Sequence, residues 1–123
     1  MELKFEKLII DLKINNLDRA VDFYQNILKL PLIHKDVDWA SLEAMGAEIH
    51  LYLHSGISSG LEFRVVNLES YVDNLKKLDI QFFVEENQVN LLEITGDVMK
   101  FPWGKSAFFN DSEGNRIVLV EDK

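Results

Sequence analysis

Apolar residues take every second position from Leu8 through Ile10 and Leu12 to Ile14, with Asp11 and Lys13 between them. A period of two predicts a strand with one buried face. Asn16 follows, a residue whose side-chain oxygen can accept from an unpaired amide in the first turn of a helix. Behind it Leu17, Ala20, Val21, Tyr24, Ile27 and Leu28 recur at helical spacing, and Pro31 marks the helix as finished. The pattern then repeats. "IDLKINNLDRAVD" (10–22) returns 51 positions later as "LEFRVVNLESYVD" (61–73), pairing Ile10 with Leu61, Asp11 with Glu62, Lys13 with Arg64, Asn16 with Asn67 and Val21 with Val72. Asn67 becomes the second expected helix cap, and Leu68, Tyr71, Val72, Leu75 and Leu78 the second expected buried stripe. One supersecondary unit is used twice.

Short strand-like runs follow each helix. "LIHKDV", "WASLEA" and "AEIHLYLH" come after the first; "IQFFVEE", a stretch around "VNLLEIT", "KSAFFN" and "NRIVLVE" come after the second. "NDSEGN" (110–115) has the Asp, Asn and Gly chemistry of a hairpin turn. The expected fold is α+β, a single domain of two tandem βαβββ modules, residues 1–57 and 58–123, with curved antiparallel sheets around a cup and helices on the outer faces. Alternation places Leu8 to Ile14, Ile49, Leu51, Leu53, Leu61 to Val65, Ile117 and Leu119 under the helices. The opposite face then carries Ile9, Asp11, Lys13, Glu48, His50, Tyr52, His54, Gly60, Glu62, Arg64, Arg116, Val118 and Val120, a mostly polar set.

A length of 123 residues suits one domain, and 47% hydrophobic with 28% charged residues suits a globular chain. The formal charge of −8 disfavours nucleic acid, and the small lysine clusters Lys4/Lys7 and Lys76-Lys77 do not offset it. It also suits a cationic ligand. With no cysteine, thiolate nucleophiles, disulfides and Cys-type zinc sites are excluded. "MELKFEKLII" carries acidic residues and no long apolar core, so it does not read as a signal peptide, and no run approaches a membrane span. Cytoplasmic residence is expected.

The duplicated unit, with "NNLDRAVDFYQNILKLPL" after the first strand and "PWGKSAFFNDSEGNRIVLVE" at the end, resembles the vicinal oxygen chelate superfamily of glyoxalase I, bleomycin and fosfomycin resistance proteins and extradiol dioxygenases. Two departures are Ser112, where the family usually places Asp-Pro in the final turn, and the insertion-like stretch 86–97. The resemblance implies four metal-ligand positions in the metal-dependent enzymes, and these fall on Ile9, His50, Gly60 and Val118. Only His50 has a donor side chain, whereas a catalytic zinc-like ion generally takes three protein ligands. A shifted alignment would bring Asp11, Glu62 or Glu48 toward His50. No cofactor is expected, and a divalent metal is not.

The expected ligand-binding residues are Asp11, Lys13, Trp39, Glu48, His50, Tyr52, Glu62, Arg64, Trp103 and Arg116: paired charges on the open face, with tryptophans at the rim the resemblance implies. Phe101, Phe108 and Phe109 look partly like packing. The expected function is a metal-free small-molecule-binding protein for a drug-like or metabolic ligand, a homodimer as in the bleomycin resistance branch. The alternative is a glyoxalase-type lyase or isomerase using His50 with carboxylates or a metal. Residues 48 and 50 point the same way along one strand, so a carboxylate partner for His50 is expected from across strands rather than from Glu48.

Overall fold

The computed structural model describes residues 4, 6–54, 56 and 60–123. The chain forms two compact units, Met1–Ser59 and Gly60–Lys123. The module boundary expected between 57 and 58 lies outside the described residues.

In unit 1 the elements are β1 (Ile9–Lys13), α1 (Leu17–Asp22), β2 (Leu32–Lys35), β3 (Trp39–Ala44) and β4 (Ala47–Tyr52), with sheet order β1-β4-β3-β2. The first strand runs parallel to the last, Ile10 beside Ile49 and Leu12 beside Leu51, and the other pairs are antiparallel. Asn16 caps α1 by accepting from the Arg19 N–H at 2.9 Å. A π-helical turn, Phe23–Ile27, continues α1. Between this helix and the sheet Leu12, Ala20, Tyr24, Leu42, Ile49 and Leu51 are fully buried, each gaining about 1.5–3 kcal/mol where the side chain is large and apolar. Lys35 pairs with Asp18, tying β2 to α1. Leu8, expected at the buried end of the first strand, is instead 66% exposed, because β1 begins one residue later.

Unit 2 repeats the plan with an addition. Its elements are β5 (Leu61–Arg64), α2 (Leu68–Lys76), β6 (Phe82–Phe83), β7 (Glu93–Thr95), β8 (Val98–Phe101), β9 (Gly104–Asn110) and β10 (Arg116–Asp122). The sheet runs β5-β10-β9-β8-β7, with β6 paired to the far end of β9, and β5 again lies parallel to the last strand. The β7–β8 hairpin is the addition, and β8 was not expected from the sequence. Ile117, Leu119, Phe109, Leu68 and Val72 are buried, while Tyr71 and Leu78, expected on the buried stripe, are exposed. The remaining buried positions, Leu68, Val72 and Leu75, already form a continuous face at i, i+4 and i+7, so the helix needs neither.

Asn67 does not cap α2 with its side chain; it adopts a left-handed backbone at φ 73°. Glu121 on β10 takes the Leu68 N–H instead, at 2.6 Å. The 110–115 turn forms as expected. The buried Asp111 carboxylate accepts from the Glu113 and Asn115 amides at 2.8 and 2.7 Å and from Asn115 Nδ2 at 2.9 Å, so Ser112 does not prevent the turn. Among the described residues no helix is long and apolar enough to cross a membrane.

Candidate functional site

Register alone arranges the open face of unit 1. Cross-strand neighbours share a face, so β3, β4 and β1 line up Trp39–Tyr52–Lys13 in one row, Ser41–His50–Asp11 in the next and Glu43–Glu48–Ile9 in the third. His34 on β2 extends the middle row beside Ser41. Of the expected site residues, Asp11, Lys13, Trp39, Glu48, His50 and Tyr52 therefore share one surface. Three others that belong with them were not foreseen: Lys7, His34 and Ser41. Lys7 precedes β1 and carried no strand signal, while His34 had only its proximity to Trp39 across a hairpin.

His50 is the centre of this surface. Its Nε2 stands 2.8 Å from Glu48 Oε1 and its Nδ1 3.0 Å from the Tyr52 hydroxyl. This corrects the expectation that residues two apart on one strand would not touch: the Glu48 side chain is long enough to fold along the strand onto the ring. Both side chains are only about one-seventh exposed, at 13% and 14%. Lys7 pairs with the other Glu48 oxygen. The Lys7 hydrogen bond first, and the His50 hydrogen bond second, hold the Glu48 carboxyl below its ordinary range, and Glu48 in turn raises Lys7. Burial, then the Asp11 charge, pushes the Tyr52 phenol up.

Rings gather round this polar line. Trp39 stacks on Tyr52 with centroids 6.0 Å apart and planes 17° from parallel, and it lies 5.3 Å from His50 and 4.9 Å from His34. His54 lies past the end of β4 and is exposed.

The open face of unit 2 differs. The row equivalent to His34–Ser41–His50–Asp11 reads Phe83–Phe108–Val118–Glu62. Met99, Phe101 and Phe108 form a buried cluster there, packed by Phe83, Val84, Leu91, Ile94 and Val118, so segment 84–101 covers a face expected to be polar. Val120, expected on that face as lining, is buried. Arg116 sits at its edge, Nη1 2.9 Å from Glu85 Oε1 and its guanidinium 4.9 Å from the Phe108 ring. Arg64 pairs with Asp122 at 3.0 Å with both side chains well exposed, and Glu62 is exposed beside Val118. Trp103, 46% exposed in the β8–β9 turn, stacks on Phe101 at 5.0 Å. In unit 2, then, the two expected arginines pair with Asp122 and Glu85, and Trp103 packs on Phe101.

His50 spends both ring nitrogens on Glu48 and Tyr52, and Ile9, Gly60 and Val118 offer no side-chain donor. Among the described residues no three His, Asp or Glu side chains converge closely enough to hold an ion.

No family model and no curated protein matches the chain. Solved structures do. A lactoylglutathione lyase from Agrobacterium tumefaciens superposes with a TM-score of 0.75 at 14% identity, over 98% of this chain and 96% of that one. TnmS3, an antibiotic binding protein from Streptomyces sp. CB03234, gives 0.69 at 19% identity over 100% of both chains. The fosfomycin resistance protein FosX from Listeria monocytogenes, solved with Mn(II) and sulfate, gives 0.69 at 16% identity over 99% of this chain and 93% of that one. Likeness at these identities shows the fold and leaves the chemistry to the residues.

Proposed function

We propose, from a chain that carries the vicinal oxygen chelate fold, that this protein binds a small organic molecule, drug-like or metabolic, on the open face of unit 1 and does so without a metal. The observation that carries the reading is the set of Trp39, His50 and Tyr52 rings gathered on one sheet face beside the Asp11 and Glu48 carboxylates. Rings supply apolar contact area at low entropic cost, and a few fixed polar groups orient the ligand. The carboxylates and the overall charge of −8 favour a cationic or zwitterionic molecule. Solved neighbours include an antibiotic binding protein and a resistance protein solved with Mn(II) and sulfate, and among the described residues of this chain no three His, Asp or Glu side chains gather as an ion would need. A cytoplasmic homodimer that completes the site across two chains goes with this proposal, and light scattering after gel filtration tests the dimer.

The binding test uses Trp39 as its own reporter. Trp39 and Trp103 are the two tryptophans, so Trp103→Phe leaves Trp39 alone to fluoresce. Titration with bleomycin, ethidium and proflavine should give saturable quenching in the micromolar range, weakened at least tenfold by His50→Ala. A flat response to all three overturns the cationic-drug form of the reading. Elemental analysis after incubation with Ni, Zn, Mn and Fe(II) and desalting should show no stoichiometric retention; retention lost in His50→Ala overturns the metal-free part. The 2.8 Å contact of Glu48 with His50 favours a second reading, a glyoxalase-type lyase or isomerase. A turnover of glutathione hemithioacetal that survives His50→Ala would remove that assignment.

A further inference from the structure

We propose that Tyr52, His50 and Glu48 form a metal-free proton relay: the Tyr52 oxygen takes a proton from a molecule held at Trp39 while the phenol's own proton passes to His50 Nδ1. The proposal rests on the binding reading for where the molecule sits, and adds an activity to it.

Direction follows from donor chemistry. An ionised carboxylate can only accept, so the proton of the neutral His50 ring lies on Nε2, facing Glu48 Oε1 at 2.8 Å. Nδ1 then presents a lone pair, and the Tyr52 hydroxyl at 3.0 Å donates into it. The remaining lone pairs of the phenol oxygen can receive a proton. When they do, the Tyr52 O–H bond breaks toward Nδ1, and the imidazolium that forms is stabilised by Glu48. Lys7 keeps Glu48 ionised for that role. The Tyr52 oxygen thus acts as a base by handing its own proton to the imidazole.

The charged and polar groups around the ring agree. From β1, Asp11 stands beside His50 and Lys13 beside Tyr52; from β3, Ser41 stands beside His50 and Glu43 beside Glu48; Lys7 and His34 close the two ends. Burial and Asp11 keep Tyr52 in its neutral, donating form. The fitting substrate class is a flat molecule with an acidified C–H or O–H, beside a carbonyl or on an electron-poor ring, able to lie on Trp39.

The probe is 5-nitrobenzisoxazole, a flat electron-poor ring with one acidic C–H. The base removes that proton, the C–H electron pair becomes the third bond of a nitrile, and the N–O bond breaks to leave a phenolate in the same molecule. The full chain should accelerate this reaction at least tenfold over Tyr52→Phe, with His50→Gln equally impaired and both variants shown folded by circular dichroism. The rate should fall with acid in step with protonation of His50 followed by nitrogen-15 NMR. That spectrum should place the neutral ring's proton on Nε2. A rate no higher than that of Tyr52→Phe, or a neutral ring protonated on Nδ1, overturns the relay. Trp39 quenching by the probe in the Trp103→Phe background, read in parallel, shows separately whether the binding reading stands.

Discussion

Arg116 and Glu85 meet at 2.9 Å at the edge of a sheet face packed with the apolar side chains of Phe83, Val84, Leu91, Ile94, Met99, Phe101 and Phe108. Both are partly exposed, at 43% and 36%, so water screens the ion pair and leaves it worth less than about 1 kcal/mol. The guanidinium also lies over Phe83 and Phe108, which adds a contribution of about 0.5–1 kcal/mol. Arg116→Ala is therefore expected to lower stability by about 0.5–2 kcal/mol in urea unfolding. Arg116→Lys should recover less than half of that, since it restores the charge without the planar stacking group.

Glu48 sets a pH dependence. Its carboxyl sits below its unfolded-state value because Lys7 and His50 bond to it. A depressed carboxyl contributes stability that is fully present above the unfolded value and is lost as pH falls through the folded one. The melting temperature of the native chain should therefore drop more steeply below about pH 4.5 than that of Glu48→Gln, with the two curves converging at the acid end. Parallel curves would show that the pairing contributes nothing in solution.

Asp111 organises the last hairpin by accepting from three N–H groups while buried. Asp111→Ala leaves those donors unsatisfied and should cost about 2–3 kcal/mol, read by chemical denaturation. Asp111→Asn keeps an accepting oxygen and should cost about half as much.

Gly104 and Gly114 offer a contrast between crowding and strain. A Cβ at Gly104, where φ is 151°, would stand 2.2 Å from the Glu121 carbonyl oxygen, and Gly104→Ala should cost more than about 3 kcal/mol or prevent folding. At Gly114 φ is 86° with nothing within 4 Å, so Gly114→Ala should cost only about 1 kcal/mol of backbone strain. Thermal melts of the two variants check the order.

The duplication was legible because the period-two runs carry their own register. Ile10 and Leu61 match in the sequence, and each lies beside an isoleucine of its unit's final strand, Ile49 and Ile117. The polar row on unit 1 was legible for the same reason, since Asp11, His50 and Tyr52 sit at alternating positions. What escaped was anything set by a segment outside the repeat. "VMKFPWGKSAFF" is almost continuously apolar around Lys100 and Lys105, so alternation gave no sign that Val98–Phe101 is a strand of its own or that Met99 and Phe101 join Phe108. Leu8, Tyr71 and Leu78 escaped in the opposite sense: their periodicity is right, but all three are exposed. The Glu48–His50 contact depends on rotamers, to which a pattern of residue classes is blind.

The parallel pairing of first and last strands in each unit bears on how the chain is made. β1 has its partner in β4 and β5 in β10, so neither leading strand can find its neighbour until the whole of its own unit has been synthesised. The contacts that close each sheet span most of a unit, which slows folding relative to hairpin-only sheets. On the ribosome, residues 9–13 wait with an unpaired edge until Tyr52 has emerged, and then the unit with the ring-lined face can close while its sister is still being translated.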